Sequence, residues 1–273
     1  MSSAGTGPEV LLVGCGKMGQ AMLSGWLGAG TIGHATVVEP GGVPGFAEDD
    51  RVTILSDPAA LPAAYRAAVV LLAVKPQVMP QAAPVYRPVV ERGAVVLSIA
   101  AGKTMTAFAE YYGGAAAIVR AMPNTPAAIG RGISVAVANA NVAPAQRALC
   151  DRLLAAVGSV EWVAEEGLLD AVTALSGGGP AYVFLLIEAL ASAGAKAGLP
   201  AELAMRLARE TVSGAGELAR LSPESAEQLR KNVTSPKGTT LAALEILMAP
   251  DGVQPLFDAA VAAATARARE LAQ

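Results

Sequence analysis

The stretch LLVGCGKMGQAMLSGW, Leu11–Trp26, sets Gly14, Gly16 and Gly19 into an otherwise apolar run. Glycine weakens strand and helix alike. Placing it where a strand should pass into a helix implies that something approaches the backbone there. The spacing matches G-x-G-x-x-G, follows the strand-like EVLLVG (Glu9–Gly14), and opens a helix with Met18, Ala21, Met22, Gly25 and Trp26 on one face. In that setting the first glycine allows a tight turn, the second admits a pyrophosphate, and the third lets helix pack on strand. Free N–H groups at the helix start then face the phosphates. The stretch predicts a dinucleotide-binding turn; the alternative is a glycine turn of purely structural use.

Outward from that turn, ATVVEP (Ala35–Pro40), AVVLLAVKP (Ala68–Pro76), GAVVLSIAAG (Gly93–Gly102) and AAIVRAMPN (Ala116–Asn124) are continuous apolar runs separated by helix-length segments. That is the pattern of parallel strands buried on both faces. GISVAVAN (Gly132–Asn139) reads as a further strand, at an edge. After about Glu161 strand-like runs give way to alanine- and leucine-rich helices at Leu168–Leu175, Pro180–Ala197, Pro200–Leu221, Pro223–Val233, Thr240–Met248 and Val253–Leu271. Pro200 and Pro223 sit where a first helical turn tolerates proline. The fold class expected is α/β: a Rossmann-type, doubly wound parallel sheet over residues 1–163, then an all-α dimerisation domain over 164–273.

Hydrophobic residues make up 53% of the 273-residue chain and charged residues only 16%, which places apolar surface in subunit contacts. The helix that includes AYVFLLIEALASAGA has one narrow polar stripe, Glu188, Ser192 and Lys196, so it is expected to be buried on most sides, partly by another subunit. Its apolar run of about 15 residues, broken by Glu188, falls short of the ~20 that span a bilayer. A net charge of −3 without a basic block argues against nucleic acid. Cys15 and Cys150 are too few for a disulfide framework and suit a reducing compartment. The N-terminal MSSAGTGPEV lacks the basic and apolar regions of a signal peptide, giving a cytoplasmic expectation.

Polar candidates collect at the carboxyl ends of the strands, where open α/β sheets bind ligands. Glu39 closes the second strand, where an acid accepts hydrogen bonds from an adenosine ribose and repels a 2′-phosphate; the alternative is a solvated turn residue. Lys75 ends LLAVKPQ, while SIAAG and RAMPNTP end the next strands, with Asn124 and Thr125 as polar contacts. ALSGGGPAYVF (Ala174–Phe184) and NVTSPKGTTLAAL (Asn232–Leu244) read as loops opening helices, with free amides suited to a carboxylate. The single histidine, His34, falls in a turn and is not read as catalytic; metal-ligand clusters and a nucleophile elbow are absent. Chemistry then rests on a cofactor hydride and an electrophilic substrate such as an imine.

Taken together, VGCGKMGQAM, AVKPQ, SIAAG, RAMPNTPA, LSGGGPAYVF, AGAKAGLP and NVTSPKGTTLAAL resemble, in order and spacing, the pyrroline-5-carboxylate reductases of proline biosynthesis, from about Val10 to Gln273. The resemblance implies hydride transfer from NADPH or NADH to the C=N carbon of 1-pyrroline-5-carboxylate, and a helical domain that interlocks in a homodimer, with decamers in many members. It implies that Gly14, Cys15, Gly16, Lys17, Met18, Glu39, Ala73, Val74, Lys75, Pro76, Ile99, Ala100 and Ala101 hold the cofactor, with Asn232 reaching it from the second domain, of the same subunit or of the other. Ser235, Gly238, Thr239 and Thr240 are implied to hold the substrate, the loop amides taking its carboxylate and the Thr240 hydroxyl meeting the ring nitrogen. Two positions depart from the family pattern: Lys237 stands for a glycine in S-P-G-G-T-T, and Gly178 for a serine in L-S-G-S-G-P-A. A positive φ at 237 would strain the lysine; otherwise its ammonium attracts the carboxylate. Competing readings are a β-hydroxyacid dehydrogenase, with Lys196 as general acid, and a non-catalytic dinucleotide sensor.

Overall fold

The computed structural model describes residues 7–272; the first six residues of the segment read above as lacking a targeting signal lie outside them. The first part of the chain builds one eight-stranded sheet, β1 (Glu9–Val13), β2 (His34–Val38), β3 (Val52–Leu55), β4 (Val69–Leu72), β5 (Val95–Ser98), β6 (Ile118–Met122), β7 (Gly132–Ala138) and β8 (Gly158–Trp162). Its order is β3-β2-β1-β4-β5-β6-β7-β8. The first six follow the dinucleotide-binding order 3-2-1-4-5-6 and pair in parallel. Strand β7 runs antiparallel to β6, and β8 parallel to β7.

Helices α1 (Lys17–Ala29), α2 (Met79–Ala82), α3 (Arg87–Glu91), α4 (Met105–Tyr112) and α5 (Pro144–Ala155) connect these strands, and α6 (Leu168–Val172) follows β8. The central strands read VVLL in β4 and VVLS in β5 and are buried along their whole length. Their branched and leucine side chains serve a core on each face of the sheet. One gathers Leu12, Met22, Trp26, Leu71 and Leu153; the other gathers Leu11, Leu72, Met79, Tyr86 and Phe108. Helix α1 buries Gly19, Ala21, Met22, Leu23 and Trp26, and stops at Gly30, whose φ of 62° gives the left-handed ending that glycine accepts most readily.

Beyond α6 the helices are α7 (Gly179–Lys196), α8 (Ala201–Leu221), α9 (Ala226–Asn232), α10 (Thr239–Leu247) and α11 (Val253–Leu271). Two compact units result: one up to Gly177 together with Ala264 onward, the other Gly178–Ala263. In the second, α7 packs along α8, with Gly194 close against Ala204 and Leu199. Elsewhere α7 is half-buried or exposed: Ala191 is its one buried residue, and Phe184 and Leu185 are 59% and 63% exposed. The expected burial of this helix is therefore not met within a single chain. By length and composition, Leu168–Lys196 is long and apolar enough to cross a membrane, with mean hydropathy 1.4.

Several local expectations are corrected. β3 and β8 were not legible as strands, and β7 lies one strand in from the edge. His34 begins β2 and is not in a turn: its Nδ1 lies 2.9 Å from Glu9 Oε2 and its Nε2 3.1 Å from the Thr53 hydroxyl. The glycine cluster of Ala174–Phe184 does pass into a long helix at Pro180, but Thr173–Gly177 ahead of it forms a π-helical turn in place of a loop. Neither proline lies in a first turn. Pro200 is the N-cap of α8, and Pro223 stands outside α9, whose start is set by Ser225 accepting from the Gln228 N–H at 3.2 Å.

Candidate active site

The three glycines of the opening turn each have a distinct cause. Gly14 has φ 84°, and a Cβ there would meet Val74 Cγ1 at 2.7 Å. At Gly19 a Cβ would meet the Gly14 carbonyl oxygen at 2.7 Å, so the helix lies directly on the turn. Gly16 is different: nothing lies within 4 Å of where its Cβ would be. It caps α1 with no side chain bonded to the first-turn amides. Open backbone and unsatisfied N–H groups at a helix start form a cradle that fits a pyrophosphate. The residues present thus fit a dinucleotide.

Glu39 stands one residue beyond β2 and reaches across to this turn. Its Oε2 accepts from the Cys15 N–H at 2.7 Å and its Oε1 from the Gly41 N–H at 3.2 Å. Burial, and then the Glu39 charge, push the Cys15 thiol up to about 12, so it stays protonated at neutral pH. A cavity of about 500 Å³ is lined by Gly14, Gly16, Glu39, Ala73, Val74 and Lys75. Six predicted cofactor residues therefore converge on one cavity at the carboxyl ends of β1, β2 and β4. Cys15, Lys17 and Pro76 are their chain neighbours, and Met18 follows Lys17 in α1. Ile99, Ala100 and Ala101 follow β5, with the Ala100 N–H donating to the Ser98 hydroxyl at 3.3 Å.

Pro58 and Tyr86 also line the cavity and were missed from the sequence. Pro58 follows β3, the strand that was not recognised, so its loop had no place in the reading. Tyr86 carries no motif; burial, and then Asp57, push its hydroxyl up to about 12. In RAMPNTP Arg120 and Asn124 already have partners. Arg120 is buried and donates to Glu166, which also accepts from the Met105 N–H. Asn124 donates to the Ser176 carbonyl at 3.2 Å and accepts from the Ile133 N–H at 2.9 Å. That side chain fastens backbone on both sides.

The second unit brings Ser235, Gly238, Thr239 and Thr240 together in one turn and helix start. The Gly238 N–H closes the turn on the Ser235 carbonyl at 3.0 Å, and Gly238 caps α10 with no side chain on its first amides. Thr239 and Thr240 are exposed. Asn232 ends α9 with its amide engaged locally: its Oδ1 accepts from Gln228 at 2.7 Å and its Nδ2 donates to Glu224 at 3.0 Å. Lys237 has φ 59°, so the lysine is in the strained alternative. Lys196 is the last residue of α7.

Comparison with known proteins covers both units. Residues 166–271 match the family model described as pyrroline-5-carboxylate reductase dimerisation, and residues 9–102 match the one described as NADP oxidoreductase, coenzyme F420-dependent. A pyrroline-5-carboxylate reductase of Pseudomonas aeruginosa is 37% identical over 269 residues, 97% of each chain. The solved structure of a pyrroline-5-carboxylate reductase from Coxiella burnetii superposes with a TM-score of 0.89 at 34% identity, covering 97% of this chain and 98% of that one. The Plasmodium falciparum pyrroline carboxylate reductase, solved with NADP bound, has a TM-score of 0.82 at 28% identity, covering 97% and 98%. A likeness this continuous, spanning the sheet with its glycine turn as well as the helices that follow, puts the chain in the pyrroline-5-carboxylate reductase family.

Proposed function

We propose that the protein reduces 1-pyrroline-5-carboxylate to L-proline, the last step of proline biosynthesis, using NADPH or NADH. The observation that carries this is the end-to-end likeness to reductases named for that substrate. When bound, the reduced nicotinamide supplies the hydride. On this reading Gly14 to Met18, Glu39, Ala73 to Pro76 and Ile99 to Ala101 hold the dinucleotide, with Asn232 added from the second domain. The convergence of six of these on one cavity supports it.

Ser235, Gly238, Thr239 and Thr240 hold the substrate. The uncapped amides at the start of α10 suit its carboxylate, being N–H groups with no side-chain acceptor at a positive helix end. The Thr240 hydroxyl donates to the ring nitrogen, whose basicity rises as the C=N bond becomes a single bond. A weak donor suffices, because an imine is already electrophilic.

The division at 1–163 and 164–273 assigns cofactor to the first domain and substrate and self-association to the second. We read the open face of α7 as covered by a second copy in a homodimer, with a decamer of such dimers as the larger alternative. The dimerisation model over residues 166–271 supports the self-association. On the same reading Leu168–Lys196 is an interface helix in a cytoplasmic enzyme that takes no nucleic acid.

Loss of reduced-nicotinamide absorbance with freshly prepared 1-pyrroline-5-carboxylate tests the assignment on the full chain. Turnover with at least one cofactor is expected; none, from protein shown to be folded, overturns it. Thr240→Val should lower kcat/KM about 100-fold while leaving cofactor affinity in place. An unchanged kcat/KM would remove Thr240 from the reaction.

A further inference from the structure

We infer that this protein selects NADH over NADPH, and that Glu39 with the acidic segment behind it is the selecting element. The inference rests on the reading of the Gly14–Gly16–Glu39 cavity as the dinucleotide site.

The Glu39 carboxylate is held in place before any ligand arrives. The Cys15 N–H fixes one oxygen at 2.7 Å and the Gly41 N–H the other at 3.2 Å. A carboxylate offers about four lone-pair directions, so each oxygen keeps one for a further donor. Two fixed acceptors beside a phosphate cradle, at the end of the second strand, suit the paired hydroxyls of an unphosphorylated ribose. A 2′-phosphate there would bring a dianion against a carboxylate that two backbone amides prevent from turning away.

The segment that follows β2 offers no free cation to neutralise that phosphate. From Glu39 to Asp50 the chain carries Glu39, Glu48, Asp49 and Asp50 and neither lysine nor arginine. The next residue, Arg51, is taken by Asp49 at 2.8 and 3.0 Å and by the Leu27 carbonyl at 3.0 Å. Among the residues lining the cavity Lys75 is the sole cation. It follows β4, and β1 stands between β4 and β2. Two strand spacings put its backbone about 10 Å from that of Glu39, on the far side of the glycine turn. Attraction thus falls on the pyrophosphate side and repulsion on the ribose side.

The test is equilibrium binding of NADH and NADPH to the full-length protein, followed by nicotinamide fluorescence, with turnover measured alongside. NADH is expected to bind about tenfold tighter or more, with the gap narrowing as salt is raised. Glu39→Gln keeps an acceptor for one of the two amides while removing the charge, and should bring the two affinities together. Pro40→Arg leaves Glu39 in place and adds a cation at the cavity wall, and should improve NADPH binding selectively. Equal or tighter binding of NADPH by the unaltered protein overturns the inference and leaves the reductase reading standing. Binding of neither cofactor by folded protein overturns both. A ratio unmoved by Glu39→Gln and by Pro40→Arg removes Glu39 as the selector.

Discussion

Lys237 is the only non-glycine residue with positive φ among the described residues. It is the third residue of the turn that Gly238 closes on Ser235, and Pro236 is the second. Proline fixes a negative φ, so a positive φ at the next residue makes this a type II turn, whose third position favours glycine. A side chain held left-handed costs about 1–2 kcal/mol, part of which glycine gives back through its looser unfolded chain. Lys237→Gly should therefore stabilise the protein by about 1 kcal/mol, read as a higher urea midpoint at unchanged slope; a lower midpoint would contradict this account of the turn. The sequence exposed the lysine as a departure from the family pattern. The sign of φ came only with the structure, because Ser-Pro-Lys-Gly allows a type I turn as well.

At the scale of elements, α1 and α5 are joined across the core by one hydrogen bond. The Trp26 indole N–H donates to the Leu153 carbonyl at 2.8 Å, with both residues fully buried. Leu153 is in the last turn of α5, and the Val157 N–H that would normally serve its carbonyl goes to Leu154 instead. The indole thus satisfies one of the orphan acceptors that end a helix. Trp26→Phe keeps an aromatic ring but strands that acceptor, and should cost about 1–3 kcal/mol in denaturant unfolding; a loss near zero would show that the carbonyl finds another donor. The central strands and their alternation with helices were legible because both faces are buried, leaving runs such as VVLL with no polar interruption. β3 and β8 hid because they are edges. β8 alternates partly buried and exposed positions through GSVEW, and β3 is four residues with no fully buried position. The glycine turn and Glu39 were readable from spacing, whereas the engaged partners of Asn124 and Asn232 depend on contacts distant in sequence or on a helix end that spacing does not fix.

For the whole molecule, the decisive feature is the open face of α7. Val183, Phe184, Leu185, Leu186 and Leu190 are all exposed in the single chain, more large apolar side chains on one helix than soluble monomers usually leave open. Leu185→Glu should shift the light-scattering mass to that of a monomer and lower activity with it, while α7 and α8 stay packed. An assembly of unchanged mass would place the interface elsewhere. The high apolar content announced such a surface, and the narrow polar stripe Glu188, Ser192 and Lys196 placed it on this helix. On the proposal that a second copy covers that helix, association and folding draw on the same free energy. The protein's resistance to heat is then a property of its concentration, rising by mass action as more copies are present and falling on dilution.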